Sequence, residues 1–409
     1  MSAGSRENFG PRLPELIFID ALERFAGSYS ERYGRAAINV SHWDPSEQLT
    51  AILSSKAPAV ECNGVVPYRY SYLLPKMPAV LKKLGFRPEE TSGLITENGT
   101  TCIAAVANWL KLCAVSEVTL LTPYYFSTPY NLQRLGISVL ELPAVREGTY
   151  SIPPNMSLSE GQALWLTNPI FSTGSYLPDS DIHRLIEIAD SGAIVVADEA
   201  LALSPSRIGA VLGGHRNFVG IYTPHKSVCV NGLKFSVITF HPKHQAAFED
   251  WSDVLSGGLS ISAAAAVDHF LTPAFDEYRL HFTGLIEATR DWHNSILARW
   301  RGDIETDEHA RGHFVTAYAP QLSAHLGDNL SFLSHLIEET GCVVIPGTRS
   351  AFDTKHGFCF RVNLARDSAE FRYALTALYK LLGEASAISR LRKAPSRSCQ
   401  YFAPAESRC

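Results

Sequence analysis

The chain has 409 residues, of which 46% are hydrophobic and 19% charged, and it carries 36 basic against 41 acidic side chains. This composition is typical of a globular protein with a large core in two domains, and it excludes a disordered or collagen-like chain. The net charge of −5 is spread along the sequence and gives no broad field for nucleic acid or an anionic membrane. We therefore expect a small molecule as the partner.

Neither a targeting signal nor a metal motif is visible in the sequence. No run of about 18 apolar residues occurs, and the N-terminal stretch MSAGSRENFGPRLPEL lacks the apolar segment of a signal peptide, which predicts a cytoplasmic protein. The eight cysteines form no CxxC pair and no Cys/His cluster at metal spacing, so we expect neither a metal nor a disulfide framework. Reduced, mostly buried thiols are the expected state.

The first long pattern in chain order lies between about residues 92 and 240, where short apolar runs alternate with helical stretches. Runs that are apolar on both faces are typical of parallel strands covered by helices on each side. Two intervening stretches, 100–114 and 180–192, carry apolar residues at helical spacing, and the second ends at a glycine suited to a C-cap. The seven runs are SGLITEN, EVTLLTPYYF, SVLELPA, ALWLTNPI, GAIVVADEAL, FVGIYTPHK and LKFSVITF. They predict an α/β fold with a mostly parallel seven-stranded sheet and helices on both faces.

The second pattern begins at about residue 276. A long helical stretch leads into the strand candidates FVTAYAP, GCVVIPG and FCFRVNLA, and a further helical stretch covers 368–386. This order predicts a smaller α+β domain. The expected division is an N-terminal segment 1–60 that contributes to the small domain and the pocket, a large domain 61–272, a small domain 273–390 and a mobile tail 391–409.

Polar residues that end the predicted strands are the candidates for a ligand site, because ligands of such sheets bind beyond the carboxyl ends of the strands. Gly99, Thr100 and Thr101 follow the first run at a helix start. Free N–H groups, hydroxyls and the helix dipole suit a phosphate there, although threonine also caps helices without a ligand. Asp198 and Glu199 end the run GAIVVADEAL, where a carboxylate needs a cationic or hydrogen-bonding partner.

A further set of polar residues closes the run FVGIYTPHK. Thr223, His225 and Lys226 lie at this strand end, and Lys234 precedes the next strand. A lysine among apolar and hydroxyl residues has its pKa lowered by desolvation and nearby cations, which frees its amine to form a Schiff base; a surface lysine is the ordinary alternative. The complementary groups at the other strand ends favour the reactive lysine.

Together these residues resemble the fold-type I pyridoxal phosphate (PLP) enzymes, specifically the class I/II aminotransferases, over roughly residues 35–385. The resemblance implies that Asp198 pairs with the pyridine nitrogen of PLP and that Lys226, 28 residues later, holds the cofactor aldehyde. It implies further that Thr223 and Lys234, three residues before and eight after that lysine, bind the cofactor phosphate. The phosphate-binding helix start of the family corresponds to Gly99, Thr100 and Thr101.

The same resemblance extends to the cofactor ring and the substrate. Tyr125 is expected to stack on the ring, and Arg361 is expected to clamp the substrate α-carboxylate through two hydrogen bonds. A core tyrosine and a structural ion pair are the respective alternatives. The segment 38–45 resembles the one that lines the substrate pocket, with Trp43 in place of a glycine, so that the indole must reshape the pocket or stack on substrate. The tyrosine that would reach a partner subunit's phosphate is one of Tyr68, Tyr70 and Tyr72.

Several positions depart from the family's pattern. Phe171 replaces the asparagine that donates to the cofactor's phenolic oxygen, and Leu201 replaces the tyrosine that bonds the same oxygen. Asn168 is the remaining candidate to reach the ring. Lys234 replaces an arginine and keeps the charge but loses the two-pronged geometry. The role of His225 stays open between a proton shuttle and a structural residue.

The resemblance implies an enzyme that acts on a free α-amino acid through a Schiff base and a quinonoid carbanion, by transamination or a related α-deprotonation. The alternative is β- or γ-elimination or replacement, including ring closure on a sulfonium amino acid in natural-product biosynthesis; a requirement for a keto acid would separate the two. A non-catalytic binding protein is a remote alternative that the retained Asp198, Lys226 and Arg361 disfavour. A homodimer with shared active sites is also implied, and the small-residue segment 260–266 would allow close packing nearby.

Overall fold

The structure is a computed structural model that describes residues 13–56 and 75–393. The candidate phosphate-binding tyrosines and the predicted tail from residue 394 onward lie outside the described residues; these tyrosines are Tyr68, Tyr70 and Tyr72.

The described residues form helices and strands in the alternating order that the sequence predicts. The α-helices are α1 (Pro14–Tyr33), α2 (Glu47–Lys56), α3 (Met77–Leu84), α4 (Gly99–Leu112), α5 (Ser127–Arg134), α6 (Asp179–Asp190), α7 (Arg207–Leu212), α8 (Pro224–Ser227), α9 (Gln245–Trp251), α10 (Ile261–Phe270), α11 (Pro273–Leu297), α12 (Leu330–Thr340) and α13 (Ala369–Lys393). The strands are β1 (Ile38–Asn39), β2 (Ser92–Thr96), β3 (Glu117–Thr122), β4 (Ser138–Pro143), β5 (Val145–Glu147), β6 (Thr149–Ser151), β7 (Gln162–Thr167), β8 (Ile194–Asp198), β9 (Phe218–Tyr222), β10 (Ser236–Phe240), β11 (Glu305–Thr306), β12 (Phe314–Ala319), β13 (Cys342–Val343) and β14 (Phe358–Asn363).

The central sheet contains all seven predicted runs in the order β2-β10-β9-β8-β7-β3-β4. β10 is antiparallel to both of its neighbours, and the other pairs are parallel. The predicted α/β fold with a mostly parallel seven-stranded sheet is therefore confirmed. The register pairs Thr167 of β7 with Asp198 of β8, which places these two polar residues side by side at one edge of the sheet.

Six strands of this sheet are almost entirely buried, as their continuous apolar sequences require, whereas the edge strand β4 is largely exposed. Along β8, Val195 and Ala197 belong to one buried cluster, and Val196 belongs to the cluster on the opposite face. Because successive side chains of a strand point to opposite faces, Asp198 follows Val196 toward α4, and Glu199 follows Ala197 toward the other side. The alternation thus separates two adjacent carboxylates.

A second group of strands carries Arg361. β11, β12 and β14 form an antiparallel sheet, and β1 pairs in parallel with β13. Arg361 of β14 lies opposite Thr316 of β12. The strand candidates in this part of the chain and the two long helical stretches are confirmed as β12, β13, β14, α11 and α13, whereas the predicted domain boundaries stay predictions.

The loop after β7 connects the two sheets. The carbonyl of Gly174 accepts hydrogen bonds from the N–H groups of Arg311 (2.7 Å) and Gly312 (2.9 Å). The φ of Gly174 is +73°, and a Cβ at this position would lie 2.1 Å from the carbonyl oxygen of Phe314. Only glycine fits this close approach, which holds the loop with Phe171 against the sheet that carries the arginine.

Across residues 13–56 and 75–393, no helix is long and apolar enough to cross a membrane. Within the same ranges, no group of three or more His, Cys, Asp or Glu side chains is arranged to hold a metal ion. The cysteines there are free thiols, buried at Cys102, Cys229, Cys342 and Cys359 and exposed at Cys113. The cytoplasmic location stays a prediction.

Candidate active site

Side chains at the ends of β7 and β8, after β9 and at the start of α4 surround a cavity, which we call the lysine cavity. Five residues that the sequence predicts as cofactor ligands line it: Gly99, Thr100, Tyr125, Asp198 and Lys226. The two residues that replace the family's donors, Phe171 and Leu201, line it as well. The structure therefore brings together residues that are up to 127 positions apart, from Gly99 to Lys226.

Asp198 places a carboxylate at the wall of the lysine cavity. It ends β8, is 8% exposed, and accepts a hydrogen bond from the N–H of Ala200 at 3.1 Å. Burial raises the pKa of Asp198, while the Ala200 N–H and the charge of Lys226 act in the opposite direction. No basic side chain of the described residues lies within ion-pair distance of this carboxylate, so it remains available to a cationic ligand group.

Lys226 lies on the short helix α8, which begins directly after β9. Its Nζ is 4.7 Å from the ring centre of Trp43 and 5.3 Å from that of Tyr125. The pKa of Lys226 is lowered to about 8, mainly by burial and also by the charges of Arg361 and Lys234, while Asp198 acts in the opposite direction. A lysine with this pKa presents a share of neutral, nucleophilic amine near neutral pH.

The start of α4 provides unpaired donors at one end of the lysine cavity. The N–H groups of Gly99 and Thr100 have no acceptor among the described residues. A Cβ at Gly99 would lie 3.1 Å from Oγ1 of Thr223, whose hydroxyl also bonds Ser236 Oγ at 2.7 Å. Two unpaired backbone donors thus lie at a helix N-terminus on the wall of the lysine cavity, an arrangement that suits a phosphate, whereas Thr223 lies beside Gly99 and is not part of that wall.

Two other predicted phosphate ligands face elsewhere. The N–H and the hydroxyl of Thr101 both bond Oδ1 of Asn98, at 3.0 and 3.2 Å, so Thr101 takes part in the helix cap. Nζ of Lys234 donates to the carbonyl of Asn231 at 2.6 Å. Neither residue lines the lysine cavity, and a role for Thr101 or Lys234 in holding a cofactor stays a prediction.

The structure directs Asn168 away from the cavity, contrary to the expectation that it reaches the cofactor ring. Its Nδ2 donates to Oε1 of Glu199 at 2.9 Å, and its Oδ1 accepts from the N–H of Leu177 at 3.0 Å. The side chain is 2% exposed and is absent from the cavity wall. Because both ends of the carboxamide are used inside the protein, Asn168 holds Glu199 rather than a ligand.

His225 likewise points into the protein. Its Nε2 lies 3.1 Å from Nδ1 of His269, and its ring packs against Phe235 and Phe275. The residue is fully buried, and burial lowers the pKa of His225 to about 3. A neutral imidazole outside the cavity wall fits the structural alternative and does not fit the proton shuttle.

Arg361 lines an adjoining cavity, which we call the arginine cavity. The residue is 7% exposed, and its Nε donates to the carbonyl of Ser41 at 2.8 Å. Burial lowers the pKa of Arg361 to about 9. No carboxylate of the described residues lies within 4 Å of the guanidinium, so the structural ion pair that the sequence left as an alternative is not formed there. Tyr125 and Phe171 line both cavities.

Trp43 lines the arginine cavity, and its ring is close to both Lys226 and Arg361. Its ring centre is 4.2 Å from Cζ of Arg361, and the ring meets Phe314 edge-on at 5.2 Å. Asn363 Nδ2 holds the local backbone by donating to the carbonyl of His42 at 2.8 Å. An indole at this position shapes the space between the reactive amine and the guanidinium, in line with the pocket role predicted for it.

One residue of the cavity wall, Thr167, and one buried residue that feels the charges of the site, His313, are not among the sequence predictions. Thr167 ends β7 and lines the lysine cavity; its Oγ1 accepts from the N–H of Phe171 at 2.8 Å, which leaves the hydroxyl hydrogen free to donate. Its position after an apolar run was the available signal. His313 is buried just before β12, and burial, followed by the charges of Lys226 and Arg361, lowers the pKa of His313 to about 3. No pattern in the sequence singles it out.

No protein-family model and no curated protein sequence matches the chain. Solved structures do match it over nearly its whole length. An aspartate aminotransferase mutant from Thermus thermophilus has 18% identity and a TM-score of 0.68, covering 93% of this chain and all of that one. The methionine aminotransferase YbdL from Escherichia coli has 18% identity and a TM-score of 0.71, covering 91% of this chain and all of that one. The PLP-dependent cyclase OrfR has 19% identity and a TM-score of 0.72, covering 93% of this chain and all of that one.

These likenesses define the class of fold. The chain has the fold of the fold-type I PLP-dependent aminotransferases, which confirms the predicted resemblance at that level. Because the identities are 18–19%, the reaction and the substrate have to be argued from the site itself.

Proposed function

We propose that the protein is a PLP-dependent enzyme that acts on a free α-amino acid by transamination or a closely related α-deprotonation. The observation that carries the proposal is the placement of three side chains around two adjoining cavities. Asp198 and Lys226 line one cavity, and Arg361, a buried cation without a carboxylate partner in the described part of the chain, lines the other. A buried guanidinium that the protein leaves unpaired is suited to an anionic ligand with two oxygens.

The residues around the lysine cavity suit the phosphate, the ring nitrogen and the aldehyde of PLP. The N–H of Gly99 and the hydroxyl of Thr223 would hold the phosphate at the start of α4. The carboxylate of Asp198 would face the ring nitrogen, and Nζ of Lys226 would hold the aldehyde. Tyr125 supplies an aromatic face on the same wall, suited to packing against a pyridine ring.

When bound, PLP supplies an electron-withdrawing ring that stabilises negative charge on the substrate α-carbon. Asp198 would keep a proton on the ring nitrogen, because a buried carboxylate favours a cationic partner. Lys226 would move a proton at the α-carbon through its Nζ, for which its lowered pKa of about 8 is suitable. Arg361 would hold the α-carboxylate and thereby fix which bond of the α-carbon faces the ring.

The phenolic oxygen of the cofactor would find a different donor from the family's. Phe171 and Leu201 offer no hydrogen bond, whereas the free hydroxyl hydrogen of Thr167 is on the same cavity wall. Thr167 is paired in register with Asp198 and is 6% exposed, which fixes its position. We therefore assign this contact to Thr167.

We also propose that the protein is a homodimer. The helix α10, which contains most of the small-residue segment, buries Ala263, Ala264 and Ala266 inside its own chain. Close packing of this segment between subunits is therefore restricted to its outer face. The exposed residues that precede the helix are the better candidates for the contact.

The proposed function predicts a covalently held cofactor. Purified protein should show a visible absorbance band, and borohydride should remove that band and fix the cofactor mass on the peptide that contains Lys226. Lys226→Ala should retain no fixed cofactor, whereas Lys243→Ala, a change of an exposed lysine, should behave as wild type. A wild-type spectrum that borohydride leaves unchanged, or cofactor fixed in Lys226→Ala, would contradict the proposal.

The same holoprotein separates the two classes of reaction. Turnover of an amino acid that requires a keto acid supports transamination, because the amino group left on the cofactor must be passed on. Turnover that proceeds without a keto acid supports elimination or replacement instead. Product masses identify the outcome in either case.

A further inference from the structure

The arginine cavity has an apolar wall that the proposed reaction does not by itself require. Phe18 and Ile19 of α1, Phe126 after β3 and Ile345 after β13 contribute to this wall. Phe18 is 7% exposed although it borders the cavity, so its ring is held in the core. The space next to Arg361 is therefore enclosed by side chains from three separate parts of the chain.

Aromatic rings continue this wall toward the lysine cavity. Trp43 lies 6.0 Å from Phe171 and 6.2 Å from Tyr125 between ring centres, and Tyr125 lies 5.9 Å from Phe171. The three rings are tilted or perpendicular to one another, and all three line the arginine cavity. Such surfaces favour apolar and aromatic groups.

The polar residues of the arginine cavity are Glu15, Arg349 and Ser350, besides Arg361. Arg349 forms an ion pair with Asp328, and its guanidinium lies 4.4 Å from the ring centre of Phe18. Glu15 adds negative charge near Arg349. A second carboxylate on a substrate that approached Arg349 would also approach Glu15, and these like charges would repel each other.

We propose that the substrate is an α-amino acid with a large apolar side chain, which lies in the arginine cavity against Phe18, Ile19 and Ile345. The inference rests on the proposed function, since it uses Arg361 for the α-carboxylate and Lys226 for the amino group. With those two ends fixed, the side chain is directed to the apolar wall, and Trp43 contacts it on the way. Dicarboxylic amino acids and small ones such as alanine are poor substrates.

The test mixes the holoprotein with L-phenylalanine, L-leucine, L-alanine, L-aspartate and L-glutamate and follows the change in cofactor absorbance. Phenylalanine and leucine should react with an apparent second-order rate constant at least about a hundredfold above those of the other three, because differences of several methylene groups in an apolar pocket give discrimination of this order. Faster reaction of aspartate or glutamate would overturn the inference and leave the proposed function standing. Absence of reaction with every amino acid, in protein that holds the cofactor, would overturn both.

A pair of variants on α1 links the selectivity to the wall. Phe18→Ser should lower the ratio of the phenylalanine rate to the alanine rate at least about tenfold. Ile17→Ser, at the neighbouring position that is 52% exposed, should leave this ratio unchanged. Should Phe18→Ser fail to fold, the same ratio of rates can be measured in Ile345→Ala, which changes a cavity residue outside α1. A ratio that none of the cavity variants alters would overturn the assignment of the wall.

Discussion

The two adjacent carboxylates at the end of β8 differ in their partners. Asp198 faces the lysine cavity, whereas Glu199, 3% exposed, accepts hydrogen bonds from Asn168 Nδ2 (2.9 Å), from Tyr222 OH (3.0 Å) and from Ser206 Oγ. The pKa of Glu199 is raised to about 6, mainly by burial and also by the neighbouring Asp198, while the three hydrogen-bond donors act in the opposite direction. Glu199 therefore acts as a positioning residue, because it fixes the loop that begins at Asn168.

The raised pKa of Glu199 predicts a pH-dependent contribution to stability. The folded state binds this proton more tightly than the unfolded state, whose pKa is near 4.5. The contribution is therefore fully present below about pH 4.5 and is lost as the pH rises through about 6, and it amounts to roughly 2 kcal/mol. In Glu199→Gln, this fall in the free energy of unfolding between acid and neutral pH should be absent, as measured by urea unfolding at several pH values.

The matched control is Glu384→Gln, a change of an exposed glutamate on α13. Its stability profile should follow that of the wild type. A Glu199→Gln profile parallel to the wild type would show that the folded protein does not shift the titration of Glu199. A change in the absorbance of bound cofactor in Glu199→Gln would show that the loop held by Glu199 affects the lysine cavity.

Single residues of the site differ in how far the sequence predicts them. Asp198, Lys226 and Arg361 stand out because an ionisable side chain at the end of, or within, an apolar strand needs a partner. Asn168 could not be assigned in this way, since its partner Glu199 lies 31 residues away and the contact depends on how β7 and β8 are aligned. Thr167 carried a weaker signal, because a threonine is also common inside strands.

At the scale of elements, the apolar runs predict all seven strands of the large sheet, and every run except that of the edge strand β4 is buried on both faces. The direction of β10 is not encoded in its composition, and its antiparallel orientation comes only from the structure. Helix α1 was not predicted. Its first turn lacks a capping side chain, and its buried face is sparse, so the segment has weak helical signals of its own and depends on packing against the rest of the fold.

The start of α4 yields a prediction about phosphate affinity. Gly99→Ala places a methyl group 3.1 Å from Thr223 Oγ1, within the space assigned to the cofactor phosphate. The apparent dissociation constant for PLP, measured by reconstitution of the apoprotein, should rise by at least about tenfold because one charge-assisted contact is weakened. The thermal unfolding midpoint of the apoprotein should change little.

The control for this variant is Gly284→Ala on α11, where an added Cβ meets nothing within 4 Å. That change should leave PLP affinity unaltered and stabilise the helix by up to about 1 kcal/mol. Equal PLP affinity in Gly99→Ala and wild type would remove the start of α4 from the phosphate site.

At the scale of the whole molecule, two large apolar side chains are exposed shortly before α10. Val254 and Leu255 are 79% and 63% exposed, on the turn that leads to α10. Ser260, the N-cap of α10, is bonded to Glu97 through its N–H (2.6 Å) and hydroxyl (2.8 Å), and Glu97 lies two residues before Gly99. Exposed apolar residues of this kind mark interaction surfaces, and their position in the chain, six and five residues before Ser260, suits the proposed homodimer.

The homodimer proposal predicts a change in both assembly and cofactor binding when this surface is made polar. Wild-type protein should sediment at twice the chain mass of 44.9 kDa, and the double variant Val254→Asp, Leu255→Asp should shift toward monomer and lose cofactor more readily. Leu112→Asp is the control, because this residue is 73% exposed at the far end of α4, about 20 Å from Gly99 along the helix. A wild-type monomer with full activity would refute the dimer, and a dimer that persists in the double variant would place its interface elsewhere.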